Sequence, residues 1–419
     1  MCSLVFTACA HAADTYPRLA TYAIGSPKDY FNESYQKQLS KVQIAIVAVY
    51  PGWGSAQGVT LNETAKKIKA LNPNTRVFQY VLGESLNHPA EPAYKEFNAK
   101  IDQEKWWLYT SGTGPTMVLS DFGNGDYILN ITPTARKDAS GKTFAQWFGG
   151  WVASTWAKPN PDIDGIFTDN VFWSPRRDGD WDLNGTLDSH SNASVQASFR
   201  AGYVQYLNAF NAAAPGKLQI ANAADWVLSN ANINEYSGKF HGGLIEHMQR
   251  LDTNVGWAEM MKGYRKVMAA LAAPKIGICS WEGTMTDYQG MRYGFASCAM
   301  DDGYFAYTDS AKRYYGAPQF DEFNANLGAA VSAPSTSAWQ SGVYRRDFAN
   351  GIVLVNPKGN GQRTVTLEGD FVKLKGTQDA TVNNGATVRQ VTLKDRDGIV
   401  LLRKAKATRP LPPGNITTN

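Results

Sequence analysis

Eight short β-rich runs, each followed by enough chain for a helix, succeed one another between residues 20 and 310, and that rhythm constrains the fold more than any other feature. The runs fall at 21–24, 43–49, 76–82, 164–168, 218–221, 243–246, 275–280 and 303–307. Helix-length segments lie between them at 35–39, 61–71, 93–107, 144–157, 195–213, 255–273 and 291–299. Consecutive parallel strands need a crossover, which a helix supplies, and eight such units are the number that closes a barrel. An open doubly wound sheet is the competitor, but its nucleotide-binding signatures are missing. The turn Gly25-Ser26-Pro27 has no G-x-G-x-x-G pattern, and no G-x-x-x-x-G-K-[ST] occurs. The expected fold is therefore α/β, a (β/α)8 TIM barrel, with residues 247–249 readable as strand end or loop.

Two insertions interrupt the alternation. Residues 110–132 read as a hairpin turning at Asn124-Gly125, and 172–194 as a polar loop at the end of the fourth strand. After a linker of small residues at 329–338 the texture changes to short β-like runs at 342–348, 351–356, 364–367, 388–393 and 399–403, joined by turns such as Asn383-Asn384-Gly385. With no helical segment among them, these predict a small antiparallel β-sandwich. The resulting division is a leader remnant at 1–13, a barrel at 14–330, a sandwich at 339–405 and a disordered tail at 406–419.

Composition narrows the function. A net charge of +4, spread over 41 basic and 37 acidic residues, is too weak and too mixed for a nucleic-acid partner. No apolar run is long enough to span a bilayer. The start, MCSLVFTACAHAA, resembles the end of a signal peptide with Ala10-His11-Ala12 at the cleavage site, which predicts a periplasmic or secreted protein. Lipid anchoring through Cys9 is the lesser alternative. Cys279 and Cys298 then remain in the body, and their spacing leaves their pairing open. The 12 Trp, 20 Tyr and 18 Phe suit clefts for sugars, whose flat C–H faces rest on aromatic rings.

In a barrel the working groups stand where strands end at the C-terminal face. The fourth run ends in Asp169-Asn170 and the sixth in Glu246-His247, so two carboxylates can face each other across one mouth. Glycoside hydrolysis needs such a pair, an acid for the departing oxygen and a carboxylate that attacks carbon or activates water. Asp169 is assigned the nucleophile's role and Glu246, with its apolar approach Leu244-Ile245 and an expected raised pKa, the acid/base role; the reverse order stays open. Substrate contacts are expected from Tyr50, Trp53, Glu84, Asn170, Asn222, Asp225, Trp281, Glu282 and Asp309 at strand ends, and from Asp121 and Asn130 in the hairpin. Trp53 and Trp281 are the candidate sugar platforms.

The loop from Asp178 to Asp188 places Asp180, Asp182, Asn184 and Asp188 at positions 1, 3, 5 and 9 of a calcium-loop pattern, with Gly185 at position 6 but Ser191 where a bidentate Glu belongs. A weak calcium site and a substrate-facing polar loop are both open. Other chemistries lack their residues: there are five His without H-E-x-x-H, and no G-x-S-x-G.

The chain resembles a family of uncharacterised bacterial glycoside hydrolases with TIM barrels distantly similar to alpha-galactosidases. The resemblance rests on Asp164-Gly165-Ile166-Phe167-Thr168-Asp169-Asn170, on Met291-Arg292-Tyr293-Gly294-Phe295-Ala296-Ser297 running into Asp302-Gly303-Tyr304-Phe305-Ala306-Tyr307, and on Gly342-Val343-Tyr344-Arg345-Arg346 with Asn350-Gly351-Ile352-Val353-Leu354-Val355-Asn356-Pro357. It covers about residues 40–405. It implies catalytic carboxylates at the ends of strands four and six, here Asp169 and Glu246, and an Asp-rich loop after Trp173. The expected partner is an oligo- or polysaccharide, met by a monomer or small homo-oligomer. A transglycosylase, a non-catalytic sugar-binding protein and a surface structural protein are the alternatives.

Overall fold

The computed structural model describes residues 15–404 except 26–27, 51–57, 90–93, 113, 115 and 124. Among them eight parallel strands form one sheet: β1 (Ala20–Ala23), β2 (Ile44–Val47), β3 (Arg76–Leu82), β4 (Gly165–Asp169), β5 (Leu218–Asn222), β6 (Gly242–Ile245), β7 (Ile276–Gly283) and β8 (Tyr304–Asp309). They pair in chain order, and a parallel bridge between Leu19 and Phe305 joins the first to the last. Phe305 N donates to Arg18 O at 2.9 Å across that seam, so the sheet meets itself as a TIM-like barrel. Helices α1 (Glu33–Leu39), α2 (Leu61–Leu71), α3 (Lys95–Glu104), α4 (Phe144–Val152), α5 (Ala193–Ala213), α6 (Met248–Val255), α7 (Trp257–Ala270) and α8 (Tyr288–Ala299) surround it.

Strand alternation builds the interior. Ala20, Tyr22, Ile44, Ile46, Phe78, Phe167, Ile220, Leu244, Ile276, Ile278, Tyr304 and Ala306 form one buried cluster, and within each strand they are spaced by two. The intervening residues, such as Ala45, Val47, Ile166, Ala221 and Cys279, belong to the larger core shared with the helices. Local signals set the helix ends. Thr60 and Glu63 make a reciprocal capping box at the start of α2, and Asn192 caps α5 by accepting from Ser194 N.

Three expectations need correction. The helix expected over 255–273 is α7, and a further helix, α6, precedes it where a strand end or loop was expected, the two separated at Gly256 with φ +82. The one expected over 144–157 is α-helical only to Val152 and ends in a wider π-type turn, Ala153–Ala157. Strand β7 runs on to Gly283, past the expected end at 280.

The insertion after β3 is a hairpin: Leu119 bridges Tyr127, and Asp126–Ile128 pairs with Ser85–Asn87. The chain then ends in a five-stranded antiparallel, sandwich-like sheet made of β9 (Tyr344–Phe348), β10 (Gly351–Asn356), β11 (Arg363–Lys373), β12 (Thr387–Leu393) and β13 (Asp397–Arg403), in the order β9-β10-β13-β11-β12. Its own core takes Ile352, Leu354, Ile399 and Leu401, while the alternate residues Val353, Val355 and Val400 join the main core.

Candidate active site

Asp169, Asn222 and Glu246 stand two residues beyond Phe167, Ile220 and Leu244, so each continues its strand's inward row by one step to the C-terminal mouth. Tyr80, two beyond Phe78, joins the same layer. Asn222 Nδ2 donates to Asp169 Oδ1 at 2.8 Å and to Glu246 Oε2 at 2.9 Å. The two carboxylates thus share one amide nitrogen, and those oxygens lie no farther apart than the sum of the two bonds.

Asp169 collects further donors. Asn170 N donates to Oδ1 at 2.9 Å, and Tyr80 and Tyr22 hydroxyls donate to Oδ2 at 2.8 and 3.4 Å. Burial, with the Glu246 charge next in size, pushes the Asp169 carboxyl up to about 6, and the bonds from Asn222, Tyr80 and Asn170 pull the other way. The Asp169 carboxyl sits deep among the tyrosines.

Glu246 Oε1 accepts from Tyr314 OH at 2.5 Å and lies 3.5 Å from His247 Nε2. His247 Nδ1 is 3.0 Å from Glu282 Oε2, and burial lowers the imidazole pKa against the opposing pull of Glu246. Backbones around the pair are unusual. Asn170, His247, Arg313 and Tyr314 have φ of 56°, 54°, 31° and 54°, left-handed values that non-glycine residues adopt at a cost and that gather where geometry matters.

Beside this group lies a second acidic cluster. Glu84 is buried and gripped by Arg176 through both oxygens, Nε to Oε1 at 3.2 Å and Nη2 to Oε2 at 2.7 Å. Burial still pushes its carboxyl up to about 7, against the arginine. Asp225 accepts from Trp173 N at 3.3 and 3.2 Å, and burial raises its pKa strongly. Asp121 lies within 3.3 Å of Arg176 and 3.1 Å of Arg177.

A model of the family described as hypothetical glycosyl hydrolase family 15 matches residues 69–352. The chain belongs to that family. Among solved structures it is similar to Amy13B of Eubacterium rectale, with 9% identity, a TM-score of 0.52, and 94% of this chain and 97% of that chain covered. It is also similar to an alpha-amylase from Anoxybacillus, with 8% identity, a TM-score of 0.48 and 92% and 96% covered. For the GH36 alpha-galactosidase AgaA of Geobacillus stearothermophilus the identity is 11%, the TM-score 0.45, and the covered shares 93% and 56%. No curated protein matches. The Amy13B likeness shows the fold alone; fold and family together mark the chain as a carbohydrate-active enzyme.

Other expected contacts of this family member lie elsewhere. Trp281 is 1% exposed, because the continued β7 turns it outward against Gly294 of α8 and the Tyr293 ring, so it offers no sugar platform. Tyr50 is buried and donates to Tyr80 O, supporting a ligand of Asp169 from behind. Asn130 is buried, donating to Trp181 O at 3.2 Å and accepting from Thr132. Asp309 caps the turn after β8 through Ala311 N at 3.0 Å, and that turn delivers Tyr314. Trp53 lies outside the described residues, as do the leader-like start and Cys9.

Tyr22, Tyr80, Tyr314 and Arg176 escape sequence reasoning. Tyr22 and Tyr80 carried a usable signal, their phase with Ala20 and Phe78; Tyr314 and Arg176, on loops, carried none.

Asp180, Asp182 and Asp188 offer carboxylate oxygens within 4.8 Å of one another and could coordinate a metal such as calcium. Asp180 is buried and none of the three pairs with a basic side chain among the described residues, while Asn184 turns its amide to Asp182 and its oxygen to Thr186 N. Cys279 and Cys298 are buried and unbonded to each other. Among the described residues no helix is long and apolar enough to cross a membrane. A cleft of about 910 Å³ lies away from the carboxylates, between residues 332–340 and the antiparallel sheet.

Proposed function

We propose that the protein is a retaining glycoside hydrolase that cleaves O-glycosidic bonds in an oligo- or polysaccharide, with Asp169 as nucleophile and Glu246 as acid/base. The observation that carries this reading is Asn222, whose one amide nitrogen donates to both acids at 2.8 and 2.9 Å. Carboxyls tied through a single nitrogen suit the separation of about 5 to 5.5 Å used for direct attack on carbon, rather than the roughly 6.5 to 9.5 Å that leaves room for water in inversion.

The roles follow from surroundings. Four donors converge on Asp169 and hold both oxygens in place, as attack on carbon requires. Glu246 adjoins His247, which in turn meets Glu282, each of the latter two with 18% of its side chain exposed, and this supplies a route for protons to the mouth. Asp169 attacks the anomeric carbon as its bond to the departing oxygen breaks, and Glu246 hands its proton to that oxygen. Glu246, now ionised, takes a proton from water whose oxygen attacks the same carbon, and the ester to Asp169 breaks to restore the carboxylate.

Asp169→Asn and Glu246→Gln should each fold as the wild type does and lose at least about 100-fold in turnover, the lower end for removing such a group. NMR of the first products from alpha- and beta-linked glucans, galactans and mannans should show the substrate's anomeric configuration kept. Inverted product, or near-normal turnover in both variants, defeats the reading.

A further inference from the structure

At the tip of the hairpin inserted after β3, Phe122 is 57% exposed and Leu119 45%. A single exposed apolar side chain is ordinary. The surroundings of Phe122 are not. The Arg176 guanidinium lies 5.3 Å from the Phe122 ring centre and 4.4 Å from that of Phe172. Asp121 joins Arg176 at 3.3 Å and Arg177 at 3.1 Å, and Arg177 in turn donates to Leu119 O and Ser120 O at 3.0 and 3.1 Å. The tip of a hairpin, ordinarily loose, is here tied to the barrel by two arginines. One of them, Arg176, also grips Glu84, whose carboxyl senses the Asp169 charge. Arg176 therefore connects the exposed ring to a buried carboxylate close enough to the catalytic pair to feel its charge.

We propose that Asp121, Phe122 and Arg177 form a distal sugar subsite, where a glycosyl unit remote from the cleaved bond rests on the phenyl ring. The Asp121 and Arg177 side chains, 39% and 42% exposed, flank the ring with an acceptor and a donor for sugar hydroxyls. The proposal rests on the glycosidase reading and sharpens it: the substrate is a chain of several sugars, held at the carboxylate pair and again at the hairpin tip, and remote binding energy serves orientation at the reacting carbon.

The test is affinity electrophoresis of the full chain in native gels containing soluble starch, galactomannan, arabinogalactan or xylan. The wild type should be slowed by at least one polymer, Phe122→Ala should lose about tenfold in that affinity, and Phe122→Trp should keep it. Asp169→Asn should be slowed as much as the wild type. Turnover that survives in Asp169→Asn sinks the catalytic assignment and leaves the gel result readable on its own. A wild type slowed by no polymer, or Phe122→Ala slowed as the wild type is, overturns the subsite. So does a change in self-association on sedimentation of Phe122→Ala with unchanged gel mobility, which would make the patch a protein contact.

Discussion

Asp169 is asked to carry a negative charge where burial and the Glu246 carboxylate both oppose it, and its pKa of about 6 is the outcome. A nucleophile works only when ionised. With an aryl glycoside whose leaving group needs no proton, kcat/KM should therefore climb as pH rises through about 6. Glu246→Gln removes one of the two causes that raise the pKa, so the same climb should shift to lower pH in that variant. The pH dependence of the glycosylation step measures both. A rate that does not climb through that range removes Asp169 from the nucleophile's role.

Helices α4 and α5 meet where a side chain is missing. A Cβ on Gly149 would stand 2.3 Å from Tyr206 O and 2.9 Å from the Ala209 Cβ, whereas one on Gly150 would meet nothing within 4 Å. Adjacent glycines of one helix should thus respond in opposite directions. Gly149→Ala should cost about 1 to 3 kcal/mol through overpacking, and Gly150→Ala should gain about 0.5 to 1 kcal/mol from helix propensity. Urea midpoints of the two variants decide it, and equal shifts contradict the packing described. The helices themselves were legible in the sequence, because apolar spacing reports one element at a time; their closest approach depends on a partner 60 residues away and was not. The site divides the same way. Asp169, Asn222 and Glu246 were legible because each ends a strand one alternation beyond an inward apolar residue. A tyrosine within a strand reads as core, which hides Tyr22 and Tyr80, and Tyr314 reaches Glu246 from a loop whose left-handed backbone no periodicity announces. Trp281 misleads because its outward direction depends on β7 continuing to Gly283.

Eight runs alternating with helix-length segments were enough to suggest a closed barrel, but nothing in their pattern tells how the terminal sheet attaches. Buried arginines make that joint. Arg292 on α8, 3% exposed, reaches Asp379 at 2.5 Å, Asp397 at 3.2 Å and Gly398 O at 3.2 Å, and a Cβ on Gly398 would come within 2.5 Å of the Ala296 Cβ. Arg346 on β9 ties the other end to Ala299 O and Asp302, and Arg396 reaches Asp252 at 3.1 Å over the Tyr293 ring. Replacing one partner of a buried ion pair leaves the other charge uncompensated, a cost of about 3 to 5 kcal/mol. Arg292→Met strands two carboxylates at once, so the sheet should lose its hold on α8 before the barrel melts. In calorimetry the wild type should unfold in one transition, and Arg292→Met in two, the first several degrees lower. Arg389→Met supplies the control: that side chain is 74% exposed and among the described residues its ion pair is with Asp370 alone, so its loss should change stability by less than about 1 kcal/mol. A single transition at the wild-type temperature in Arg292→Met would mean that the apolar contacts of Val353, Val355 and Val400 hold the sheet without the arginine.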